Sequence, residues 1–475
     1  MAGLLTRLLQ HIEVLEGEIV ALRAENQALR DENARLKGQK GRPDFKANQP
    51  PCAAEDPVQK PKPARPAAPG KKPRAERIEI DRSQTVELDR DALPADYQTR
   101  GYREVVVQNI RFERDNVRYR LERGTSASTG QFYEAPLPDA PAGSGYGAEL
   151  HAFVLLAYFE LRIPEEKIMR LLNAQGIVIS AGSVATIISQ KHLADFAQER
   201  AAILDAGLHT TRYQHLDDTG LRVAGVNHHL SVLTNPYFAC YFIHRFKNAP
   251  TVARLLDLAR LDAPEDAPDE ASLTFEQRTL RDAIPILVTD GASQFRNQTL
   301  YQALCWIHEE RHYAKLWLAF PKHRHLLEEQ RQAIWTFYER LKTYAGAPTD
   351  TEKAGLWQDF DTLFDPTTGS ILLDDRLRLT RAKKELLLLV LDFPEVPLEN
   401  NRAERDLREV VVKRKISIGP RTPDGAQAWE VFFTLLTTCA KQGVNFFAYL
   451  LDRISGSYQM PALADLVRAH APTGS

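Results

Sequence analysis

Leucines recur every seven residues at the start of the chain and predict a coiled coil. They are Leu8, Leu15, Leu22, Leu29 and Leu36, and a second column three residues earlier consists of Leu5, Ile12, Ile19, Asn26 and Asn33. Glutamates at 18, 25 and 32 would face the basic residues 23, 30 and 37 of a parallel partner. Residues 1–38 are therefore predicted to form a homodimer or a larger oligomer. A single amphipathic helix within one chain is the alternative.

The heptad pattern ends in a basic, proline-rich stretch. Between Lys37 and Arg77 there are eleven Lys or Arg residues, four acids and nine prolines, which gives a net charge of +7. Such a composition cannot bury a core, so residues 39–77 are predicted to be an extended linker. The linker is either a solubilising tether or an arm that contacts phosphates.

Alternation of apolar and polar residues then predicts a small β unit over residues 78–140, in runs such as REVVVQNIRF and VRYRLER. Helical spacing dominates residues 141–205. There PEEKIMRLLNAQG followed by ISAGSVATIISQ has the outline of a helix-turn-helix, with Pro164 at a helix start and Gly176 at its end. This pair of helices either reads DNA or only packs against its neighbours.

Residues 206–314 have the element order of a ribonuclease-H-like α/β core. YQHLDDTGLRVAG, HHLSVLTNP and YFACYFIHR are typical of three successive strands, APTVARLLDLA of a helix, and AIPILVTDGA and LYQALCWIHEERHY of two further strands. Asp217 lies in the first strand and Asp290 at the end of the fourth. In that arrangement the two aspartates would meet at one sheet edge.

Two carboxylates on adjacent strands point to a metal site. Like charges a few ångströms apart are disfavoured unless a cation neutralises them, and carboxylate oxygens suit Mg²⁺ or Mn²⁺. Each aspartate alone could instead be a turn or cap residue.

Glu404 in the stretch ENNRAERDLR has two readings. Asn401 and Glu404 have the spacing of a capping box, in which Glu404 would only reach back to the helix start. If Asn400 is the cap instead, Glu404 lies in the first helical turn, where it could be a third metal ligand. Residues 315–396 are predicted to be a helical insertion, and residues 397–475 the core helix with Glu404 and the C-terminal helices.

A cationic run follows the same helix. The residues predicted to contact DNA are Arg402, Arg405, Arg408, Lys413, Arg414 and Lys415. A solvated helix face is the alternative for this run.

Composition removes several classes of protein. Apolar residues make up 43% and charged residues 26% of the chain, and the net charge is −2, as in a soluble globular protein. The longest apolar run, Leu386–Leu391, is far too short for a membrane span, so we expect a cytoplasmic protein without membrane contact. The four cysteines form no CxxC pair. Cys305, His308 and His312 have half of a zinc-finger spacing, but packing beside Trp306 is favoured and no zinc is expected.

Several of these motifs resemble one transposase class. HLDDT, VTDGA, CWIHEERHY, ENNRAERDLR and KRKISIG are similar to the motifs of DDE transposases of the insertion-sequence-sixty-six class. The resemblance implies that Asp217, Asp290 and Glu404 form the catalytic triad and bind two Mg²⁺ or Mn²⁺ ions. Asp218 stands where many members have Glu. Members commonly carry a cysteine zinc ribbon, and the β unit here has no cysteine.

The resemblance also implies the function. The chain is expected to be a multidomain α+β transposase that cuts insertion-element ends and joins their 3′-hydroxyls to target DNA. Its expected partners are double-stranded DNA, a second copy of the chain and accessory proteins of the element, in the bacterial cytoplasm and on the nucleoid. A catalytically silent dimeric DNA-binding protein and a nuclease without strand transfer are the alternatives.

Overall fold

The N-terminal region is helical where its residues are described. The computed structural model describes residues 15, 18, 22, 25, 80–88, 102–110, 112–137, 145–258 and 285–471. The first four of these residues are helical, and the side chains of Leu15 and Leu22 are 48% and 61% exposed. The rest of the predicted coiled coil and the predicted linker lie outside the described residues, so dimerisation stays a prediction. The described residues divide into two units, with residues 80–88, 102–110 and 112–114 in one and the remaining described residues in the other.

The predicted β unit is a single hairpin within the described residues. Strands β1 (Arg123–Thr125) and β2 (Phe132–Glu134) pair antiparallel. Residues 80–88 and 102–110 contain no strand, so the strand predicted from REVVVQNIRF is not formed there. Val105 and Val107 are 63% and 81% exposed. The alternation was misleading because a strand also needs a partner strand and an apolar surface to cover it.

Four helices follow the hairpin: α1 (Ala148–Phe159), α2 (Glu165–Ala174), α3 (Ala181–Ser189) and α4 (Leu193–Leu208). Pro164 precedes α2, and Gly176 after it has a φ of 80°. The Ser180 hydroxyl accepts a hydrogen bond from Ser183 N and so caps α3. The order of α2 and α3 matches the predicted helix-turn-helix outline.

The central sheet has five strands. They are β3 (Tyr213–Val223), β4 (Val226–Thr234), β5 (Ala239–His244), β6 (Ile286–Thr289) and β7 (Tyr301–Leu304). The strand order is β5-β4-β3-β6-β7. Strands β3, β4 and β5 pair antiparallel, whereas β6 pairs parallel to both β3 and β7. All four residues of β6 are buried, as expected for a strand with both faces covered.

Helix α5 (Ala249–Leu258) follows β5, and helix α6 (Trp306–Ala314) follows β7. The sequence LYQALCWIHEERHY was predicted to be a strand, but only Tyr301–Leu304 forms one. Cys305 N still continues the sheet by donating to Thr289 O at 3.0 Å, and Glu309 N donates to Cys305 O at 3.1 Å in the first helical turn. The motif therefore spans a strand-to-helix junction.

Residues 315–396 are helical and contain no strand. The helices are α7 (Pro321–Gly346), α8 (Asp350–Leu363), α9 (Ile371–Arg381) and α10 (Lys384–Leu387). They enclose an apolar core of their own, which also includes Trp306. The Trp306 indole is buried and donates to Leu387 O at 2.9 Å. This contact fixes α6 between the sheet and the helical insertion.

The C-terminal part consists of α11 (Asn401–Ser417), α12 (Pro423–Gln442), α13 (Phe446–Ile454) and α14 (Leu463–Arg468). Helix α12 packs on β5, where the Thr434 hydroxyl accepts a hydrogen bond from Tyr241 N. Trp429, Phe432 and Phe433 of α12 lie in a second apolar core with the sheet and the first four helices. Each buried aromatic side chain contributes about 2–3 kcal/mol to stability. Among the described helices, none is long and apolar enough to cross a membrane.

Candidate active site

The sheet register brings Asp217 and Asp290 together. Strand β3 pairs with β6 in a parallel register in which Tyr213 lies opposite Ile286 and His215 opposite Val288. Both pairs are 73 residues apart in the chain, and so are Asp217 and Asp290. Continuing the register two residues beyond the His215–Val288 pair therefore sets Asp290 level with Asp217. Level residues on neighbouring strands point to the same face of a sheet.

Asp290 lies in a tight turn at the end of β6. Its Oδ1 accepts a hydrogen bond from Ala292 N at 2.9 Å. Gly291 has a φ of 84°, and a Cβ at this position would lie 3.2 Å from Leu304 Cδ2. A glycine suits this position because other residues rarely adopt a positive φ. The sequence TDGA therefore turns the chain sharply and leaves Asp290 at the sheet edge.

Glu404 is in the first turn of α11, and Asn400 fixes that turn to the sheet. Asn400 is fully buried, and its Nδ2 donates to Leu216 O at 3.2 Å. Its Oδ1 therefore accepts from His215 Nδ1, at 2.9 Å, and its backbone N donates to Cys305 Sγ at 3.2 Å. The helix begins at Asn401 and has no side-chain cap, so the capping box between Asn401 and Glu404 is not formed.

The electrostatics of Asp217 reflect its surroundings. Burial raises the pKa of Asp217 to about 7, and the negative charges of Asp290, Asp218 and Glu404 add to that rise. A hydrogen bond from Asp218 N to Asp217 Oδ1, at 2.8 Å, opposes it. Asp290 and Glu404 thus both lie within electrostatic range of Asp217, although the three residues are far apart in the sequence.

Two cationic or ionisable side chains of α6 face Glu404. His308 Nε2 lies 3.5 Å and Arg311 Nη1 3.6 Å from Glu404 Oε1, which is buried and has no hydrogen-bond partner. Burial lowers the pKa of His308, while the charges of Glu404 and Asp290 oppose that shift. His308 and Arg311 were not predicted as site residues. Their spacing of three residues on a helix, within the CWIHEERHY motif, was the available signal.

Helix α6 is held in place by a buried ion-pair network. Glu309 Oε1 lies 2.5 Å from Arg376 Nη2 and Glu309 Oε2 2.9 Å from Lys383 Nζ, both in the insertion. Burial alone would raise the pKa of Glu309, but hydrogen bonds from Thr380 and Lys383 hold it below its ordinary value. The insertion therefore orients the helix that carries His308 and Arg311.

Asp218 has a different environment from Asp217. Adjacent residues of a strand point to opposite faces of the sheet. Asp218 Oδ1 lies 2.7 Å from Lys247 Nζ, and Asp218 Oδ2 accepts from Gln294 Nε2 at 2.9 Å. The Asp218 carboxylate is therefore paired on the face opposite to Asp217.

The donor set fits a hard divalent cation by its chemistry. It consists of carboxylate oxygens, with a half-buried Asp217 whose charged form is disfavoured and a buried Glu404 oxygen without a hydrogen bond. In the part of the chain that the structure describes, however, no three His, Cys, Asp or Glu side chains converge closely enough to hold an ion. Cys305 Sγ already accepts the hydrogen bond from Asn400 N.

The predicted DNA-contacting residues divide into exposed and buried ones. Arg405, Arg408 and Lys415 are exposed, and Arg402 and Arg414 are half-buried. Lys413 is fully buried, with its ammonium 3.4 Å from the Tyr158 ring centre and 3.3 Å from Ile163 O. Burial lowers the pKa of Lys413 to about 7. Lys413 is thus a correction to the predicted set, because no phosphate can reach it in this fold.

One comparison with known proteins identifies a family. The family model described as Transposase IS66 family matches residues 143–428. A curated relative, the uncharacterized protein y4jO of Sinorhizobium fredii (strain NBRC 101917 / NGR234), is 39% identical over 187 residues. That match covers 39% of this chain and 58% of the relative, so the chain spans less than two thirds of that protein.

Proposed function

Because this chain belongs to the IS66 family of transposases, we propose that it cuts the ends of a DNA element and joins them to target DNA. Asp217, Asp290 and Glu404 are the proposed ligands of two Mg²⁺ or Mn²⁺ ions. When bound, such ions supply Lewis-acid stabilisation of the charge that develops on phosphate and on the attacking oxygen. Water attacks a phosphodiester at the element end and releases a 3′-hydroxyl. That hydroxyl then attacks a phosphodiester of the target DNA.

One observation carries the proposal. The parallel register that sets Asp290 level with Asp217 also leaves both beside the helix that carries Glu404, and burial together with these charges raises the pKa of Asp217 to about 7. A carboxylate with a raised pKa among other acids is typical of functional sites. The strand order supports a ribonuclease-H-like core, since three antiparallel strands are followed by two parallel ones.

The residues around the acids have proposed roles of their own. Arg311 is 46% exposed on its side chain and lies beside Glu404, so it can reach a bound phosphate. His308 and Asn400 hold the first turn of α11 in place against the acids. Arg408 and Lys415 lie on the same exposed face of α11 as Glu404 and provide a path for the DNA backbone.

Cutting and joining can be measured in one experiment. Duplexes that carry the DNA flanking the coding region are mixed with the protein, Mg²⁺ and a supercoiled plasmid. The wild-type chain is expected to cut and join, and Asp217→Asn is expected to do neither while it still binds DNA. Asp465→Asn, which removes an exposed acid on α14, is the matched control.

The two alternatives give different results in the same experiment. Cutting without joining would identify a nuclease without strand transfer. DNA binding without Mg²⁺-dependent cutting would identify a silent DNA-binding protein. Retention of cutting by Asp217→Asn would show that the metal ligands lie elsewhere.

A further inference from the structure

Helix α11 ends in a strained turn at Ile418. Ile418 has a φ of 68° and a ψ of −47°, and Gly419 N donates to Ser417 O at 2.8 Å. These features define a γ-turn of the rare, positive-φ type. A positive φ is an outlier for a β-branched residue. The chain therefore holds Ile418 in a conformation that its side chain opposes.

The turn is fixed by contacts with the hairpin that connects β3 and β4. A Cβ on Gly419 would lie 2.3 Å from Arg222 O, so only glycine fits against that strand. Ala224 N donates to Pro420 O at 3.0 Å. Backbone strain persists only where surrounding structure determines it in this way, and such strain is concentrated at functional sites.

The Ile418 side chain does not offset this strain by packing. It is 73% exposed, and Ile416, two residues earlier, is 50% exposed. An exposed aliphatic side chain gains little from burial in the monomer. The turn therefore presents an apolar group to the outside of the protein.

The surroundings of Ile418 are cationic. Residues 414–422 contain Arg414, Lys415 and Arg421 and no acid, and Lys415 and Arg421 among them are exposed. The adjoining hairpin, residues 219–227, contains Arg222 and no acid. An apolar side chain with a cationic rim matches double-stranded DNA, whose phosphates pair with the cations while the apolar group enters a base step.

Helix α11 connects the turn at Ile418 to Glu404, one of the proposed catalytic acids. Helix α11 runs beside β3 in the same direction: Asn400 contacts Leu216 at its start, Arg414 contacts Thr219, and Pro420 contacts Ala224 past its end. Glu404 and Ile418 are 14 residues apart. That separation is about 20 Å along a helix and corresponds to about six base pairs of duplex.

We propose that Ile418 is a wedge that inserts into duplex DNA about six base pairs from the bond that is cut. This inference rests on the proposed function, because the duplex is the substrate of the cutting reaction. Insertion unstacks one base step and bends the DNA towards the acids, while Lys415 and Arg421 hold the neighbouring phosphates.

Duplexes with 2-aminopurine at successive positions test the wedge, because the fluorescence of this base rises when it unstacks. The full-length protein is compared with Ile418→Gly, which removes the side chain and tolerates the positive φ. Ile418→Leu restores an apolar side chain. Leu300→Ala removes a leucine that is 70% exposed beside the first residue of β7 and serves as the matched control.

We expect fluorescence to rise clearly at one position with the wild-type, Ile418→Leu and Leu300→Ala proteins, because the inserted side chain unstacks that base. Ile418→Gly is expected to melt no lower than the wild type, to bind the duplex, and to produce no rise. An equal rise with Ile418→Gly, or no rise at any position with the wild type, would overturn the wedge. Cutting without unstacking refutes only the wedge, and unstacking without Mg²⁺-dependent cutting refutes only the proposed function. A wild-type protein that binds no duplex refutes both.

Discussion

Asn400 Nδ2 donates a hydrogen bond to Leu216 O at 3.2 Å, one residue before Asp217 and at the start of the helix that carries Glu404. The distance between two of the proposed catalytic acids therefore depends on a buried amide. Asn400→Ala removes the hydrogen bond to the buried His215 Nδ1 and the one to the Leu216 carbonyl. We expect a loss of about 2–4 kcal/mol in the free energy of unfolding.

Chemical denaturation measures this change. Asn401→Ala, one residue later and only half-buried, is the control and should cost about 1 kcal/mol or less. At a temperature where both variants are folded, Asn400→Ala should also cut DNA more slowly. Equal stability of the two variants would show that the amide bridge contributes little.

Lys413 predicts a specific dependence of stability on pH. Burial lowers its pKa from 10.5 to about 7 in the folded protein, with Glu165 opposing this shift. Between pH 7 and 10 the unfolded chain therefore binds more protons, so the contribution of Lys413 to stability rises with pH. Between pH 7 and 10, the free energy of unfolding of the wild type should therefore rise by about 2–4 kcal/mol relative to that of Lys413→Met.

Urea denaturation at pH 7 and at pH 9.5 checks the effect. Because the ammonium also lies over the Tyr158 ring, Lys413→Met tests whether burial or this contact dominates. If the cost of burying the charge dominates, Lys413→Met should be more stable than the wild type at pH 7 and equally stable at pH 9.5. A wild-type protein whose stability changes with pH no more than that of Lys413→Met contradicts the shifted pKa.

DNA binding should separate Lys415 from Lys413. Lys415 is exposed on the face of α11 that carries Glu404, whereas Lys413 is fully buried. If Lys415 neutralises a phosphate, Lys415→Ala should reduce the slope of log affinity against log salt by about 1. Lys413→Met should leave the slope unchanged. Fluorescence anisotropy over a series of salt concentrations measures both variants. If Lys415→Ala has the same slope as the wild type, Lys415 does not contact a phosphate.

The N-terminal heptads should set the oligomeric state. Leu15 and Leu22 are helical and exposed in the single chain, as the d positions of an unpaired zipper would be. The double variant Leu15→Asp, Leu22→Asp should reduce the mass in light scattering to that of one 53.6 kDa chain. Ala24→Asp places the same charge at an outward position and should leave the dimer intact. A wild-type protein that is already monomeric would refute the zipper.

The sequence located the parts of the site that follow from local pattern. Strand alternation and the abrupt end of an apolar run identified Asp217 and Asp290 as residues of adjacent strands, and their spacing of 73 residues equals the observed register offset. Glu404 required the family resemblance. A first-turn glutamate is equally typical of a capping box, and the choice between these readings depends on Asn400 and its contacts across 184 residues.

The errors have physical causes of the same kind. Lys413 lies on the same buried face of α11 as Ala403, Leu407 and Val410, so helical periodicity could have indicated its burial. It was predicted to be exposed because lysine is usually a surface residue. His308 was interpreted at the end of a strand because the strand-to-helix junction at Cys305 depends on hydrogen bonds to Thr289 and Glu309. Such long-range contacts are absent from any local pattern.

Iron-directed cleavage of the protein backbone tests the meeting of the three acids most directly. Fe²⁺ can replace Mg²⁺ at an oxygen-ligand site and, with ascorbate and peroxide, cuts the chain near the bound ion. We expect fragments that end near residues 217, 290 and 404 together, suppressed by excess Mg²⁺ and missing in Asp217→Asn. Cuts near only one of these positions, or cuts unaffected by Asp217→Asn, would contradict a shared metal site.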